Sequence, residues 1–186
     1  MDPRNIVEAE VAERARSGDL EAFQTLVRAH DHNFRMFAAR LVGSERTDDV
    51  LQDAYLKAFR AIRRQEGPNQ SIWGWFFRIV YNACLDELRR KKRTQREQFD
   101  LSDSAMDPGA PPDEVVMDRI ALTHALFRLT PEHRAAVVLV DALGFDYPEA
   151  ARILGIRRGT LASRLHHART SLRQALRPHR ESLNSG

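Results

Sequence analysis

The chain has 186 residues, enough for one ordinary domain or two small ones, and its apolar content of 42% is too high for a disordered chain. Its formal net charge is only +3, which by itself does not establish a polyanionic partner. The single cysteine excludes a disulfide within the chain and argues against a thiolate zinc cluster. Because there is no signal peptide and no apolar run of roughly 18 residues, we expect a soluble, cytoplasmic protein without membrane insertion.

Helical periodicity predicts three helices in the first half of the chain. Apolar residues recur every three or four positions in 19–42, in about 47–64 and in about 71–93. Gly43 is expected to end the first helix, and Thr47 is expected to cap the second. A Gly-Pro-Asn break separates the second helix from the third.

The third helix is rich in aromatic residues and ends in clustered bases. Ten of the 14 aromatic residues of the chain lie between Phe23 and Tyr81. Bases beside aromatic rings suit single-stranded or melted nucleic acid, but rings at helical spacing are more often core than a stacking platform. We expect the core interpretation for Trp73, Phe76 and Phe77. Cys84, in the same apolar stretch, is expected to be a small buried hydrophobe.

The charge pattern changes abruptly after the third helix. Six of the eight residues in 89–96 are basic, whereas seven residues in 97–118 are acidic and none is basic. The acidic stretch also contains three prolines and a glycine and has little apolar periodicity, which is typical of a linker. We therefore predict two domains, 1–96 and 115–186, joined by an acidic linker over 97–114.

Four further helices are predicted in the second half, over about 115–128, 130–144, 146–154 and 160–176. A short helix, a tight turn and a longer helix have helix-turn-helix geometry, in which the second helix enters the DNA major groove. The stretch 150–180 holds eight arginines and no acid, which favours a DNA-binding face over an ordinary solvated one. No strand is predicted, so the fold class is all-α.

Nothing in the sequence predicts catalysis. The seven histidines are scattered, and no metalloprotease, P-loop or nucleophile-elbow pattern is present. We therefore expect a protein that is not an enzyme and that needs neither a metal nor another cofactor.

Three segments resemble a known family. Residues 75–90, WFFRIVYNACLDELRR, and 148–169, PEAARILGIRRGTLASRLHHAR, are similar to the two diagnostic stretches of the extracytoplasmic-function (ECF) sigma factors of the sigma-70 class. Residues 48–60, DDVLQDAYLKAFR, resemble the segment that precedes them. The resemblance spans about 17–177 in the family's order. It implies a σ2-like helical bundle and a σ4-like helix-turn-helix domain on either side of the acidic linker.

The resemblance also implies a role for particular residues. Binding of core RNA polymerase is expected from four residues at the start of the second predicted helix: Asp48, Asp49, Gln52 and Asp53. The same four residues equally suit a capped, solvated helix start. Recognition and melting of the −10 element is expected from Asn82, Arg78, Arg89, Arg90, Lys91, Lys92 and Arg93. Recognition of the −35 element is expected from Arg157, Arg158, Thr160, Ser163, Arg164, His166 and His167.

The chain departs from the family's pattern at three positions. Ala162 stands where a base is usual, and His167 and Tyr81 each stand where arginine is frequent. The first two departures remove a fixed positive charge from the recognition helix, so promoter preference is expected to differ from that of relatives.

The interpretation is an alternative sigma factor that directs core RNA polymerase to specific promoters and aids initiation. Its expected partners are core RNA polymerase, promoter DNA and an anti-sigma factor. Two alternatives remain open at this point. One is a stand-alone helix-turn-helix regulator that ignores polymerase, and the other is a sigma-like mimic that captures an anti-sigma factor.

Overall fold

The computed structural model describes residues 3–64, 72–97 and 114–183, with side chains over 10–64, 72–94 and 120–177. All regular structure in these residues is helical, as eight α-helices and one π-helical turn. The all-α expectation is therefore confirmed. None of the described helices is long and apolar enough to cross a membrane.

The first four helices pack together as one bundle. They are α1 (Pro3–Arg16), α2 (Leu20–Val42), α3 (Ser44–Arg63) and α4 (Ile72–Glu97). Helix α2 contacts the other three, and α4 also packs on α3. The sequence did not predict α1. Among its described side chains the buried ones are small, Ala12 and Ala15, where a longer apolar stripe would signal a helix.

The junction of α2 and α3 differs in part from the prediction. Gly43 ends α2 as expected, with a φ of 93° that favours glycine. The prediction that Thr47 caps α3 is wrong, because α3 begins at Ser44. Thr47 lies inside the first turn, where it is buried and its hydroxyl donates a 2.9 Å hydrogen bond to the Gly43 carbonyl. A hydroxyl bonded back along the helix does not cap it.

Helix α4 buries one complete face. Phe76, Phe77, Val80 and Cys84 are each at most 1% exposed. The rings of Phe34 and Phe77 lie 4.8 Å apart between centroids, so the aromatic residues form the core as predicted. Burial of Cys84 raises the pKa of its thiol to about 12 and confirms it as a small buried hydrophobe.

In the second half of the chain, three shorter helices pack on a long final helix. They are α5 (Glu114–Phe127), α6 (Pro131–Val137), α7 (Tyr147–Leu154) and α8 (Arg158–Leu183), with the π-helical turn Val138–Ala142 following α6. The single helix predicted over 130–144 is thus divided. In the turn the Leu143 amide donates to the Val138 carbonyl at 3.0 Å, five residues back.

Local capping explains the helix-turn-helix. The Asp146 carboxylate accepts a 2.7 Å hydrogen bond from the Glu149 amide and so caps α7. Gly155 ends α7 in the left-handed conformation, with a φ of 67°. Helix α8 then starts at Arg158, two residues before the predicted start. The predicted helix-turn-helix is confirmed.

The two halves share one continuous core. Helix α4 packs on α7, and α2 packs on α5, α6 and the π-helical turn. The Phe77 and Phe145 rings meet edge to face, with their centroids 4.9 Å apart. The predicted linker lies outside the described residues except for its two ends, and the predicted domain boundaries stay a prediction.

Removal of the α7 cap provides a first test of this description. Asp146→Ala is expected to lower the free energy of unfolding by about 1 kcal/mol, because the Glu149 amide loses its acceptor. Urea unfolding followed by circular dichroism measures the change. Asp146→Asn keeps an acceptor and is the matched control; equal midpoints for all three proteins would contradict the assigned cap.

The burial of Cys84 predicts that the free energy of unfolding depends on pH. Its pKa is raised from about 9 to about 12 in the folded protein, so only the unfolded chain ionises between these values. Stability from this thiol is therefore complete below pH 9 and is lost as the pH rises toward 12. From pH 8 to pH 10, the excess unfolding free energy of wild type over Cys84→Ala is expected to shrink by about 1.4 kcal/mol. If this excess free energy stayed constant between pH 8 and pH 10, the thiol would be exposed to solvent in the folded protein.

Candidate nucleic-acid interface

The solvent face of α4 lies opposite its buried face. Asn82 and Arg78 are exposed there, one turn apart. The basic patch continues along the same helix, since α4 extends to Glu97. We refer to the predicted −10 residues as the α4 basic face: Arg78, Asn82, Arg89, Arg90, Lys91, Lys92 and Arg93.

Two acids within α4 divide the cations of this face into two groups. Arg89 lies 3.1 Å from Asp86, and Arg90 lies 2.7 Å from Glu87. Among the described side chains, no carboxylate forms an ion pair with Lys91, Lys92 or Arg93. The first two cations are therefore held in place, whereas the next three are exposed and pair with none of the described carboxylates.

The second candidate surface lies on α8. Leu161, Leu165 and Ala168 are at most 1% exposed and attach the helix to its own domain. The predicted −35 residues form what we call the recognition face: Arg157, Arg158, Thr160, Ser163, Arg164, His166 and His167. All of them are exposed except Arg164, which is half-buried. His167 also stands 6.0 Å from His133 of α6, between ring centroids.

One arginine of the basic stretch has a structural partner. Arg169 makes two hydrogen bonds to the Asp141 carboxylate, at 2.6 and 3.0 Å, and a third to the Tyr147 hydroxyl at 3.3 Å. The stretch 150–180 contains no acid of its own, but Asp141 of the π-helical turn supplies a carboxylate to one of its arginines. This contact fixes α8 against the start of α7, and Arg169 is less available to DNA than its neighbours.

A third surface lies on α3. Asp48 pairs with Arg35 of α2, and Asp49 lies 3.8 Å from Arg46. Gln52 and Asp53 are exposed and make no ion pair with another described side chain. These four predicted polymerase-binding residues, Asp48, Asp49, Gln52 and Asp53, form the α3 polar face.

The α3 polar face and the α4 basic face meet at a cleft. It has a volume of about 360 Å³ and lies between α3 and α4. Asp49 and Asp53 line one side, and Asp86, Glu87 and Arg90 line the other. The recognition face is built separately, on a different helix.

Several charged residues have structural partners that the sequence does not predict. The pairs Asp86–Arg89 and Glu87–Arg90 have i,i+3 spacing, a signal that could have identified them. The pair Asp141–Arg169 spans 28 residues and carries no local signal. Arg134 of α6, only 5% exposed, was also missed, since a buried arginine cannot be distinguished from an exposed one by type alone.

The comparisons with known proteins agree with this arrangement. The family models for sigma-70 region 2 and sigma-70 region 4 match residues 26–94 and 119–172. The ECF RNA polymerase sigma factor SigM of Mycobacterium tuberculosis is 40% identical over 171 residues, which cover 86% of this chain and 80% of that protein.

Two solved structures have a similar fold. The sigma factor RpoE of Bartonella quintana, in complex with the anti-sigma factor NepR, is 25% identical with a TM-score of 0.69, over 84% of this chain and 98% of that one. CnrH, in complex with the cytosolic domain of CnrY, is 27% identical with a TM-score of 0.66, over 89% and 94%. The σ2 and σ4 domains thus occur here in the order that the sequence predicts, and the chain belongs to the ECF RNA polymerase sigma factors of the sigma-70 family, which act in transcription initiation and are not enzymes.

Proposed function

We propose that this sigma factor directs core RNA polymerase to promoters through the three surfaces described above. In this proposal the α3 polar face binds core polymerase, the α4 basic face opens the −10 element, and the recognition face reads the −35 element. The observation that carries it is the pair of exposed cationic faces on α4 and α8, each backed by a buried apolar stripe. The protein would act in the cytoplasm, where its template is.

The α4 basic face suits a partly melted duplex. Asn82 is exposed and its amide group both donates and accepts hydrogen bonds, as the edge of an extruded base requires. Extrusion costs a few kcal/mol, so a side chain that binds the extruded base favours strand opening. Lys91, Lys92 and Arg93, which lack an acidic partner among the described side chains, suit the phosphates of the same strand.

The recognition face suits a major groove. Arg157 and Arg158 stand at the start of α8, where the positive end of the helix dipole also attracts phosphate. Thr160 and Ser163 follow on the exposed side, with hydroxyls that can bond to phosphates or base edges. Arg164 belongs to the same face but is half-buried, unlike the other residues of the face.

A protein inhibitor is part of the proposal. RpoE of Bartonella quintana was solved with an anti-sigma factor, and this chain has a similar fold over most of its length. We propose that an anti-sigma factor also binds this protein and competes with core polymerase for it.

Removal of the Asn82 side chain tests whether the α4 basic face promotes strand opening at the −10 element. Asn82→Ala is expected to reduce run-off transcription with core polymerase at least about tenfold, the equivalent of 1.4 kcal/mol, because the extruded base loses its partner. A template already mismatched at the −10 element is expected to restore most of the activity. Gln24→Ala, at an exposed position on α2, is the matched control.

Three results of this assay would contradict the proposal. The first is unchanged activity of Asn82→Ala on the intact duplex. The second is its failure to recover on the mismatched template. The third is the absence of any promoter-specific transcript from the folded wild type with core polymerase, which would favour a stand-alone regulator or a sigma mimic.

Salt dependence provides a test of the recognition face. Arg158→Gln is expected to lower the slope of log affinity against log salt by about one unit, because one phosphate contact is lost. Filter binding of the polymerase complex to promoter DNA, at several salt concentrations, measures the slope. Arg28→Gln, on α2, makes the same charge change at an exposed site and should leave it unaltered; equal slopes for both variants would argue against the assigned face.

A further inference from the structure

The recognition face contains two neighbouring histidines whose rings lie close to a third histidine from another helix. The His167 ring lies 6.0 Å from that of His133 of α6, between centroids, and the two ring planes are inclined by only 30°. The His166 ring lies 5.8 Å from that of His167. We call these three residues the imidazole cluster. His133 is half-buried and the other two are exposed, so a side chain from outside the helix-turn-helix borders the recognition face.

The ring nitrogens of the cluster have no protein partner among the described residues. No described carboxylate forms an ion pair with any of the three imidazoles, and none of their rings makes a hydrogen bond to a described residue. At His133 it is the backbone amide that is bonded, at 3.4 Å to the Thr130 hydroxyl. A neutral imidazole offers one donor and one acceptor, and an imidazolium offers two donors. These groups are therefore available to a ligand from solvent.

The charged neighbours on the same two helices do not neutralise a protonated cluster. On α8, Arg164 precedes His167 by one turn and is a like charge. On α6, Glu132 precedes His133 but forms no ion pair with it. Arg134 follows and donates instead to carbonyls at the last turn of α2. Adjacent imidazolium groups would therefore repel one another and Arg164.

The other elements packed on α6 and α8 do not change this balance. They are α2, α5, α7 and the π-helical turn. Asp141 of the turn is bound to Arg169, and Glu149 of α7 forms no ion pair with the cluster. With α2 counted over its last turn and α5 with the residue that follows it, the charged and titratable side chains described on these elements are Arg40, His124, Arg128, Asp141, Tyr147, Glu149 and Arg152.

A phosphate of the DNA backbone is the anion that suits this position. Phosphates line both edges of the major groove that a recognition helix enters. An imidazolium donates short, charge-assisted hydrogen bonds to phosphate oxygens. A phosphate between two imidazolium groups also removes their mutual repulsion, which no described carboxylate does.

We propose that the imidazole cluster is a proton-dependent phosphate contact of the recognition face, and that His133 of α6 thereby binds the backbone of the −35 element from outside the helix-turn-helix, on the basis of the function proposed above for that face. The cluster adds to the fixed charges of Arg157 and Arg158 a charge that is present only when the histidines are protonated.

The direction of the pH dependence follows from linkage. Phosphates favour the charged form of an imidazole, so the complex with DNA holds more protons than the separated partners. Affinity therefore increases as the pH falls through the range in which histidine ionises, and the increment is lost as the pH rises toward 8. Each imidazolium that neutralises a phosphate also steepens the fall of log affinity with log salt by about 0.9 unit.

Filter binding of the polymerase complex to promoter DNA, over a series of salt concentrations at pH 6 and at pH 8, tests the cluster. Wild type is expected to bind about tenfold tighter at pH 6, because charge-assisted hydrogen bonds are gained. Its salt slope is expected to be steeper at pH 6 by about one unit for each imidazole that contacts a phosphate. His133→Gln is expected to lower the slope at pH 6 by about one unit more than at pH 8. A merely structural role for His133 would lower affinity at both pH values and leave the slopes alone.

Three further variants complete the design. His167→Arg carries a charge at both pH values, so its slope at pH 8 is expected to approach that at pH 6. Arg158→Gln is expected to lower the slope equally at both. His32→Gln, at an exposed position on α2, is the matched control and is expected to keep the wild-type pH dependence. Helical circular dichroism at both pH values verifies that each variant is folded.

The results distinguish a failure of the cluster from a failure of the proposed function. Equal wild-type slopes at pH 6 and pH 8, with promoter binding intact, would overturn the phosphate contact alone. A pH-dependent slope that neither His133→Gln nor His167→Gln alters would overturn it too, since the protons would bind elsewhere. Promoter binding at neither pH would overturn the proposed function and the contact together.

Discussion

The burial of one face of α4 determines where the α4 basic face lies. Phe76, Phe77, Val80 and Cys84 fill the space between α4 and the rest of the first bundle, and Phe77 also meets Phe145 of the second half. A close-packed core resists rotation of a helix, since any rotation would expose these groups or overpack the interior. The exposed position of Asn82 therefore follows from the residues buried on the opposite side.

Acidic residues arrange the cations more than they stabilise the fold. Exposed pairs such as Asp86–Arg89 and Asp141–Arg169 contribute little to stability, typically 0 to about 1 kcal/mol each. Their effect is on geometry, because a paired guanidinium is held at one place on its helix. The next cations along α4, Lys91, Lys92 and Arg93, have no such partner among the described side chains. The small net charge of +3 thus conceals two kinds of cation: those paired with an acid, and those without a partner among the described side chains.

Periodicity and capping residues predicted most of the helices. Gly43, Asp146 and Gly155 each occupy the helix end that their chemistry suggests. The misassigned cap at Thr47 shows the limit of this approach, because a threonine near a helix start has two local hydrogen-bonding options. Helix α1 was missed for a different reason. Its fully buried residues, among those described, are alanines, which carry a weak periodic signal but fit where helices approach closely.

The candidate surfaces were predicted by residue type and motif, whereas their mutual arrangement was not. Nothing in the spacing of Phe77 and Phe145, or of Arg134 and Leu41, indicates contact, since each pair is distant in the chain. Such contacts depend on how two domains with complete motifs of their own pack together. Sequence patterns describe single helices well because their determinants are local, and they describe domain packing poorly because its determinants are not.

The buried arginine between the two halves has an energetic logic. The Arg134 guanidinium exchanges water for the carbonyls of Arg40 and Leu41 at the last turn of α2, where unpaired carbonyls and the helix dipole favour a cation. A buried cation that pairs with no described carboxylate adds little net stability, because desolvation of the charge offsets its hydrogen bonds. Its hydrogen bonds instead restrict how α6 sits on α2, because the guanidinium must reach both carbonyls at once.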